Sequence, residues 1–140
     1  MLVRLLYVSR IIDSSPASID AILGRARAHN TACGITGVLC HAQGVFLQTL
    51  EGGRDTINEL YGHIQRDPRH KDVMLLHFEE IEKRLFGTWD MGQVNLSKSH
   101  LATLLRFSER EELDPYTLTG KVALALLLEL VATAAVGTNA

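Results

Sequence analysis

The chain has no block of like charges longer than a few residues, no membrane-length apolar run, and no cysteine or histidine cluster. With a net charge of -2 and scattered Lys and Arg, it shows no electrostatic footprint for duplex nucleic acid, which excludes that partner class. Its longest apolar stretch, Val122 to Val136, is interrupted by Glu129 and falls short of the roughly 20 residues a membrane span needs. No membrane association is expected. Cys33 and Cys40 lack a CxxC spacing, and the six histidines are dispersed without an HxxxH pair, so no metal is expected. Nucleotide-binding glycine motifs, a GxSxG nucleophile elbow and an internal repeat are all missing, so conventional catalysis lacks its parts. Met1-Leu2-Val3-Arg4 opens a strand-like run rather than a secretory signal, which together with the two thiols points to a reducing cytoplasm.

What is present is a chain of 140 residues with 46% hydrophobic content, enough for one domain with a true core plus an appendage. Residues 2 to 10 read as a strand, and Ser15-Pro16 as an N-cap with proline at the first helical position. Ile19, Ile22, Leu23 and Ala26 form the apolar stripe of that helix, which His29-Asn30 is expected to close. Ile35 to Cys40 and Val45 to Glu51, joined by His41-Ala42-Gln43-Gly44, have hairpin spacing. Ile57, Leu60, Tyr61 and Ile64 then repeat at helical period until Asp67-Pro68 stops the segment. Val73 to Phe78 predicts a fourth strand and Gly87 to Leu96 a fifth. The order gives an α+β, ferredoxin-like β-α-β-β-α-β(β) sheet with two flanking helices.

Such a sheet leaves its second face open, and two C-terminal helices are expected to meet it. One follows Ser97 or Ser99 and carries Leu101, Leu104 and Leu105. The other follows Thr117 or Thr119 and spans the apolar 122–136 run, suited to cover the open face or to form a dimer contact. Residues 1–96 are therefore read as the main domain and 97–140 as a helical extension.

Three neutral polar residues interrupt apolar patterns. Tyr7 shares a strand face with Val3 and Leu5, and Gln48 one with Phe46 and Leu50. Asn30 lies eleven residues beyond Ile19, which at about 100° per residue returns it to the same helix face. Alone, Tyr7 reads equally as a core tyrosine bonding a backbone group, and Asn30 as a left-handed helix C-cap. Together, a phenol and two amides in one core must find partners, because an unpaired buried polar group costs about 1 to 3 kcal/mol. They cannot all satisfy one another, so a planar ligand with polar edges is inferred between them.

Across residues 1 to about 96 the chain resembles the BLUF family of flavin-binding blue-light sensors. The matching residues are Tyr7 with Ser9, His29-Asn30, Gln48 in Phe46-Leu47-Gln48-Thr49-Leu50-Glu51-Gly52, His63-Ile64-Gln65-Arg66-Asp67, and Trp89-Asp90-Met91. The resemblance implies an isoalloxazine ring between the two helices, clamped by Ile22 and Ile64, with Asn30 at its C4 carbonyl and N3 edge. Arg69 matches a position near the C2 carbonyl. His29, Arg66, Asp67 and His70 complete the implied cofactor-binding set. FAD is the implied cofactor, while FMN and riboflavin suit a pocket that grips mainly the ring. Tyr7, Gln48, Ser9, Trp89 and Met91 form the implied photoactive group.

The resemblance further implies that excited flavin oxidises Tyr7 and that Gln48 rotates or tautomerises, leaving a red-shifted state read by a separate, unidentified partner protein. Two rivals remain at this point. An acyl-phosphate hydrolase on the same fold would use Arg10 and Asn30, yet Ile11 to Pro16 has no glycine and places Asp13 where an anion would sit. A ligand-free interaction module would act through the last helix. Both rivals predict a colourless protein.

Overall fold

The computed structural model describes residues 1–133. Its strands are β1 (Leu2–Ile11), β2 (Thr36–Ala42), β3 (Val45–Gly53), β4 (His70–Ile81) and β5 (Gly92–Asn95). Its helices are α1 (Pro16–Cys33), α2 (Arg54–Arg66), α3 (Leu101–Phe107) and α4 (Gly120–Thr133). The five strands form one sheet in the order β4-β1-β3-β2-β5, antiparallel except for the parallel β2–β5 pair. This is the expected ferredoxin-like arrangement extended by one strand.

Local chemistry explains the boundaries. The Ser15 side chain accepts from the Ser18 amide at 3.3 Å, and Pro16 occupies the first turn of α1. The helix runs past Asn30 to Cys33, because Gly34 is the residue that takes the left-handed conformation, at φ 68°. Asn30 is thus part of the last turn rather than its cap. Gln43 and Gly44 both have positive φ, at 51° and 78°, giving the two-residue turn that sets the β2–β3 register.

Three expectations need correction. β4 is longer than Val73 to Phe78, because β1 offers ten residues for it to pair with, and it accommodates a register shift opposite Leu6 and Tyr7. β5 is shorter than Gly87 to Leu96. Residues 87–91 form turns, since Glu51 captures the Leu85 and Phe86 amides at 3.0 and 2.7 Å and redirects the chain before strand pairing begins. Leu105 points outward at 49% exposure, whereas Leu104 is buried as expected.

The sheet carries a core on each face. On one, Val3, Leu5, Tyr7, Phe46 and Leu50 meet Ile19, Ile22 and Leu23 of α1 and Ile57 of α2. On the other, Leu6, Val8, Val38 and Leu47 meet Leu104 of α3 and Ala123, Leu126, Leu127 and Leu130 of α4. The apolar helix therefore covers the open face. Residues 134–136 of its expected span lie outside the described residues. Among the described residues no helix is long and apolar enough to cross a membrane.

One glycine fixes how α4 sits. A Cβ at Gly120 would stand 1.9 Å from the Leu76 carbonyl oxygen, at the irregular point of β4. Gly120→Ala is expected to lower unfolding free energy by about 1 to 3 kcal/mol, the range for an overpacked contact. Alanine otherwise favours helix by about 1 kcal/mol, so the sign is diagnostic. Urea unfolding of the full chain measures it, and a stabilised variant would refute this docking.

Candidate functional site

Tyr7 and Gln48 are paired across β1 and β3, which points both side chains to the α1/α2 face. The period-two geometry of strands makes this automatic once Val3, Leu5, Phe46 and Leu50 face that core. Tyr7 is 1% exposed, and its hydroxyl donates to Gln48 Oε1. The Gln48 amide nitrogen donates in turn to Met91 Sδ at 3.3 Å. Burial pushes the Tyr7 phenol far above its ordinary value of 10.0, with Tyr61 and Asp67 adding to the shift. The hydroxyl therefore keeps its proton throughout the accessible pH range.

Above this pair lies a cavity of about 190 Å³ between α1 and α2. Ile22, Arg25, Ala26 and His29 line it from α1, and Leu60, His63 and Ile64 from α2. Asn30 reaches it as well and donates from Nδ2 to the Asp90 carbonyl at 2.7 Å, tying α1 to the loop before β5. At the far end of α2, Asp67 accepts from Arg69 Nε at 3.0 Å and Nη2 at 2.6 Å. That hydrogen bonding holds the Asp67 carboxyl below its ordinary range, against the opposing effect of burial. His70 accepts or donates at 3.0 Å to Ser9, and its ring meets Phe46 edge-on.

The chemistry of these side chains suits a flat ligand with polar edges. Aliphatic Ile22, Leu23, Leu60 and Ile64 offer flat apolar walls, while amides, imidazoles and guanidinium groups supply donors around them. An aromatic ring system edged by carbonyl and imide groups matches that set. The family model described as BLUF, sensors of blue-light using FAD, matches residues 2–92.

The chain belongs to the BLUF family.

Known proteins agree with the assignment. An 86-residue stretch is 38% identical to photoactivated adenylate cyclase subunit beta of Euglena gracilis, covering 61% of this chain and 10% of that protein. The chain thus spans about a tenth of the length of such curated relatives. The photo-activated state of BlsA superposes with a TM-score of 0.86 at 30% identity, covering 96% of this chain and 97% of that one. The dark-state structure of BlrB gives a TM-score of 0.78 at 35% identity, with 94% and 95% covered. This BLUF chain is accordingly a blue-light sensor that binds flavin.

Of the residues expected at the BLUF site, Tyr7, Ile22, His29, Asn30, Gln48, Ile64, Asp67, Arg69 and His70 all line the cavity. Ser9 sits behind it on His70. Two do not join. Arg66 is exposed at the end of α2 and lies outside the lining, because its position falls on the outer face of the last turn. Trp89 packs against the α3/α4 core on the opposite sheet face, while Met91, fully buried, takes the place beside Gln48. Arg25 and His63 also line the cavity; neither is in the cofactor-binding set read from the sequence, although His63 stands in the matching His63-Ile64-Gln65-Arg66-Asp67 stretch. Spacing could have found them: Ile22, Arg25, Ala26, His29 and Leu60, His63, Ile64, Asp67 each follow the i, i+3, i+4, i+7 pattern of one helix face.

The fold also carries a pH dependence, through His70 at the site and His41 outside it. Burial lowers His70 from its ordinary 6.5, with Asp67 opposing and Arg69 assisting, and burial lowers His41 while Asp20 opposes. Both imidazoles are kept neutral by folding, so the unfolded chain binds more protons and stability rises with pH. Stability is expected to decline as pH falls below about 6.5 toward the depressed values of the folded state. His70→Gln should flatten that decline in thermal unfolding followed by circular dichroism, and an unchanged slope would exclude His70 as its source.

Proposed function

We propose that the signal is generated by the hydrogen-bond chain Tyr7–Gln48–Met91, and that the bound flavin is FAD held by Asn30, Arg69, His29, His70 and Asp67 between Ile22 and Ile64. The observation that carries this reading is Gln48 itself, accepting from the Tyr7 hydroxyl while donating to a thioether. A bound flavin supplies a light-absorbing ring whose excited state accepts an electron. With flavin bound, Tyr7 would be the residue that loses an electron while its hydroxyl proton moves along the existing hydrogen bond to Gln48 Oε1, and Gln48 would hand that proton back without having to resume its first arrangement. Its amide carries a donor and an acceptor on one rotor, and thioether sulfur is a weak acceptor that holds the NH₂ loosely. Rotation or tautomerism of Gln48 then frees Met91, the residue next to β5.

Rearranging one or two hydrogen bonds is worth about 1 to 3 kcal/mol, enough to change a two-state population by roughly tenfold to a hundredfold. The output is a changed affinity for a partner, carried through β5, α3 and α4. Purified from a flavin-replete host, the full chain is expected to be yellow and to show a reversible red shift of its flavin absorption under blue light. A colourless protein, or a yellow one with a light-independent spectrum, overturns the reading. The mass of the released chromophore separates FAD from FMN and riboflavin.

A further inference from the structure

A second cavity, larger than the flavin pocket at about 490 Å³, lies at the hairpin end of the sheet, where the N-terminus of α1, the β2–β3 turn and the end of β5 meet α3. Its floor is apolar, built from Pro16, Ile19, Leu101, Leu104 and Leu113. Its rim is charged and unbalanced. Asp20, Glu111 and Glu112 stand against the single cation Lys98, all four are exposed, and among the described residues none of them forms an ion pair. An apolar floor beneath three carboxylates that outnumber the one cation complements a side-chain pair of one apolar residue and one cation.

The cavity wall is physically joined to the flavin site. His41 and Gln93 both line it and meet through Nε2 atoms 2.8 Å apart. Gln93 stands two residues beyond Met91 on the four-residue β5. On the other side, the His41 ring packs on Phe46 at 5.8 Å, and Phe46 packs on His70 at 5.9 Å. Phe46 and His70 both line the flavin cavity. A change in how Gln48 holds Met91 therefore acts on the strand that forms one wall of this groove.

We propose that the groove is a light-gated docking site for a basic, apolar-flanked segment of a partner protein. The gating rests on the Tyr7–Gln48–Met91 reading; the docking chemistry rests on the groove alone.

The test uses the full flavin-loaded chain, ¹⁵N-labelled, titrated in darkness and under blue light with a blocked five-residue peptide that alternates leucine with arginine and lysine. Saturable shifts confined to residues 16–20, 41–44, 93–104 and 111–113 are expected, with an affinity differing about tenfold between the two light states. Asp20→Lys and Glu112→Lys, both exposed, should keep the flavin red shift and each weaken the peptide about tenfold. The same peptide with glutamate in place of both cations should not bind. Absence of saturable binding, shifts elsewhere, binding of the acidic peptide, or equal affinity in both light states would each overturn the proposal. So would self-association that Glu112→Lys abolishes, because it assigns the groove to a second copy of the chain. The red shift, recorded on the same sample, tests the switch separately: its loss in the unsubstituted chain refutes the photochemical reading, whereas its presence without peptide binding refutes the groove alone.

Discussion

Tyr7→Phe is expected to keep its flavin and to lose the light-induced red shift, and Gln48→Leu is expected to behave in the same way. The walls and polar rim of the cavity come from Ile22, Ile64, Asn30 and Arg69, which neither substitution touches. Tyr7→Phe removes the one hydroxyl that donates to Gln48 Oε1, and with it the group that can lose an electron and a proton together. Gln48→Leu removes both ends of the relay at once. The expected loss is complete rather than graded, because no neighbouring side chain duplicates the route: Tyr61 lies 5.7 Å from Tyr7 between ring centroids, and its hydroxyl makes no bond to Gln48. Difference absorption spectra under blue light read the result directly. Trp89→Phe is the internal control and should retain the shift, since Trp89 packs on the opposite face of the sheet. A normal red shift in Tyr7→Phe would remove Tyr7 from the mechanism.

Glu51→Ala has the largest expected effect on stability, a loss of about 3 to 5 kcal/mol. Glu51 is fully buried, and its carboxylate accepts from Arg4 Nε at 2.9 Å, from Arg4 Nη2 at 2.8 Å, and from the amides of Leu85 and Phe86. Arg4 is 5% exposed and keeps Glu79 as its other partner. Removing Glu51 leaves a buried guanidinium half-paired and two amides without an acceptor, and the cost of such orphaned groups exceeds the net worth of the intact pair. Glu51→Gln retains an acceptor oxygen and should lose less. Urea unfolding of both variants checks the order, and equal stability of all three proteins would contradict it. The same change should disturb signalling, because the turn anchored by Glu51 leads through Trp89 to Met91. The Trp89 carbonyl accepts from the Gly37 amide at 3.1 Å, so that turn is also stitched to β2.

How much of this was legible beforehand differs by element. Alternation along β1 and β3 put Tyr7 and Gln48 on one face, and the helical period put Asn30 there as well; period and cap residues are local, so a sequence displays them directly. Arg4 and Glu51 were not legible as a buried pair. They lie 47 positions apart, and each by itself reads as a solvated charge until the strand register sets them side by side. The extent of β4 followed from the length of its partner β1 rather than from its own composition.

The choice between Trp89 and Met91 shows the division most clearly. By itself the sequence determined the ferredoxin-like order, the two inward amides, the tyrosine and the helix faces that line the cavity, since each depends on contacts within a few residues or on a fixed strand or helix period. It placed both Trp89 and Met91 near the site without deciding between them, because residues 87–91 follow no period. Only the tertiary structure decided it. Glu51 captures the 85–86 amides, Gly37 holds the Trp89 carbonyl and Asn30 holds the Asp90 carbonyl, and these three long-range bonds turn the loop so that Met91 enters the core against Gln48 while Trp89 goes to the other face.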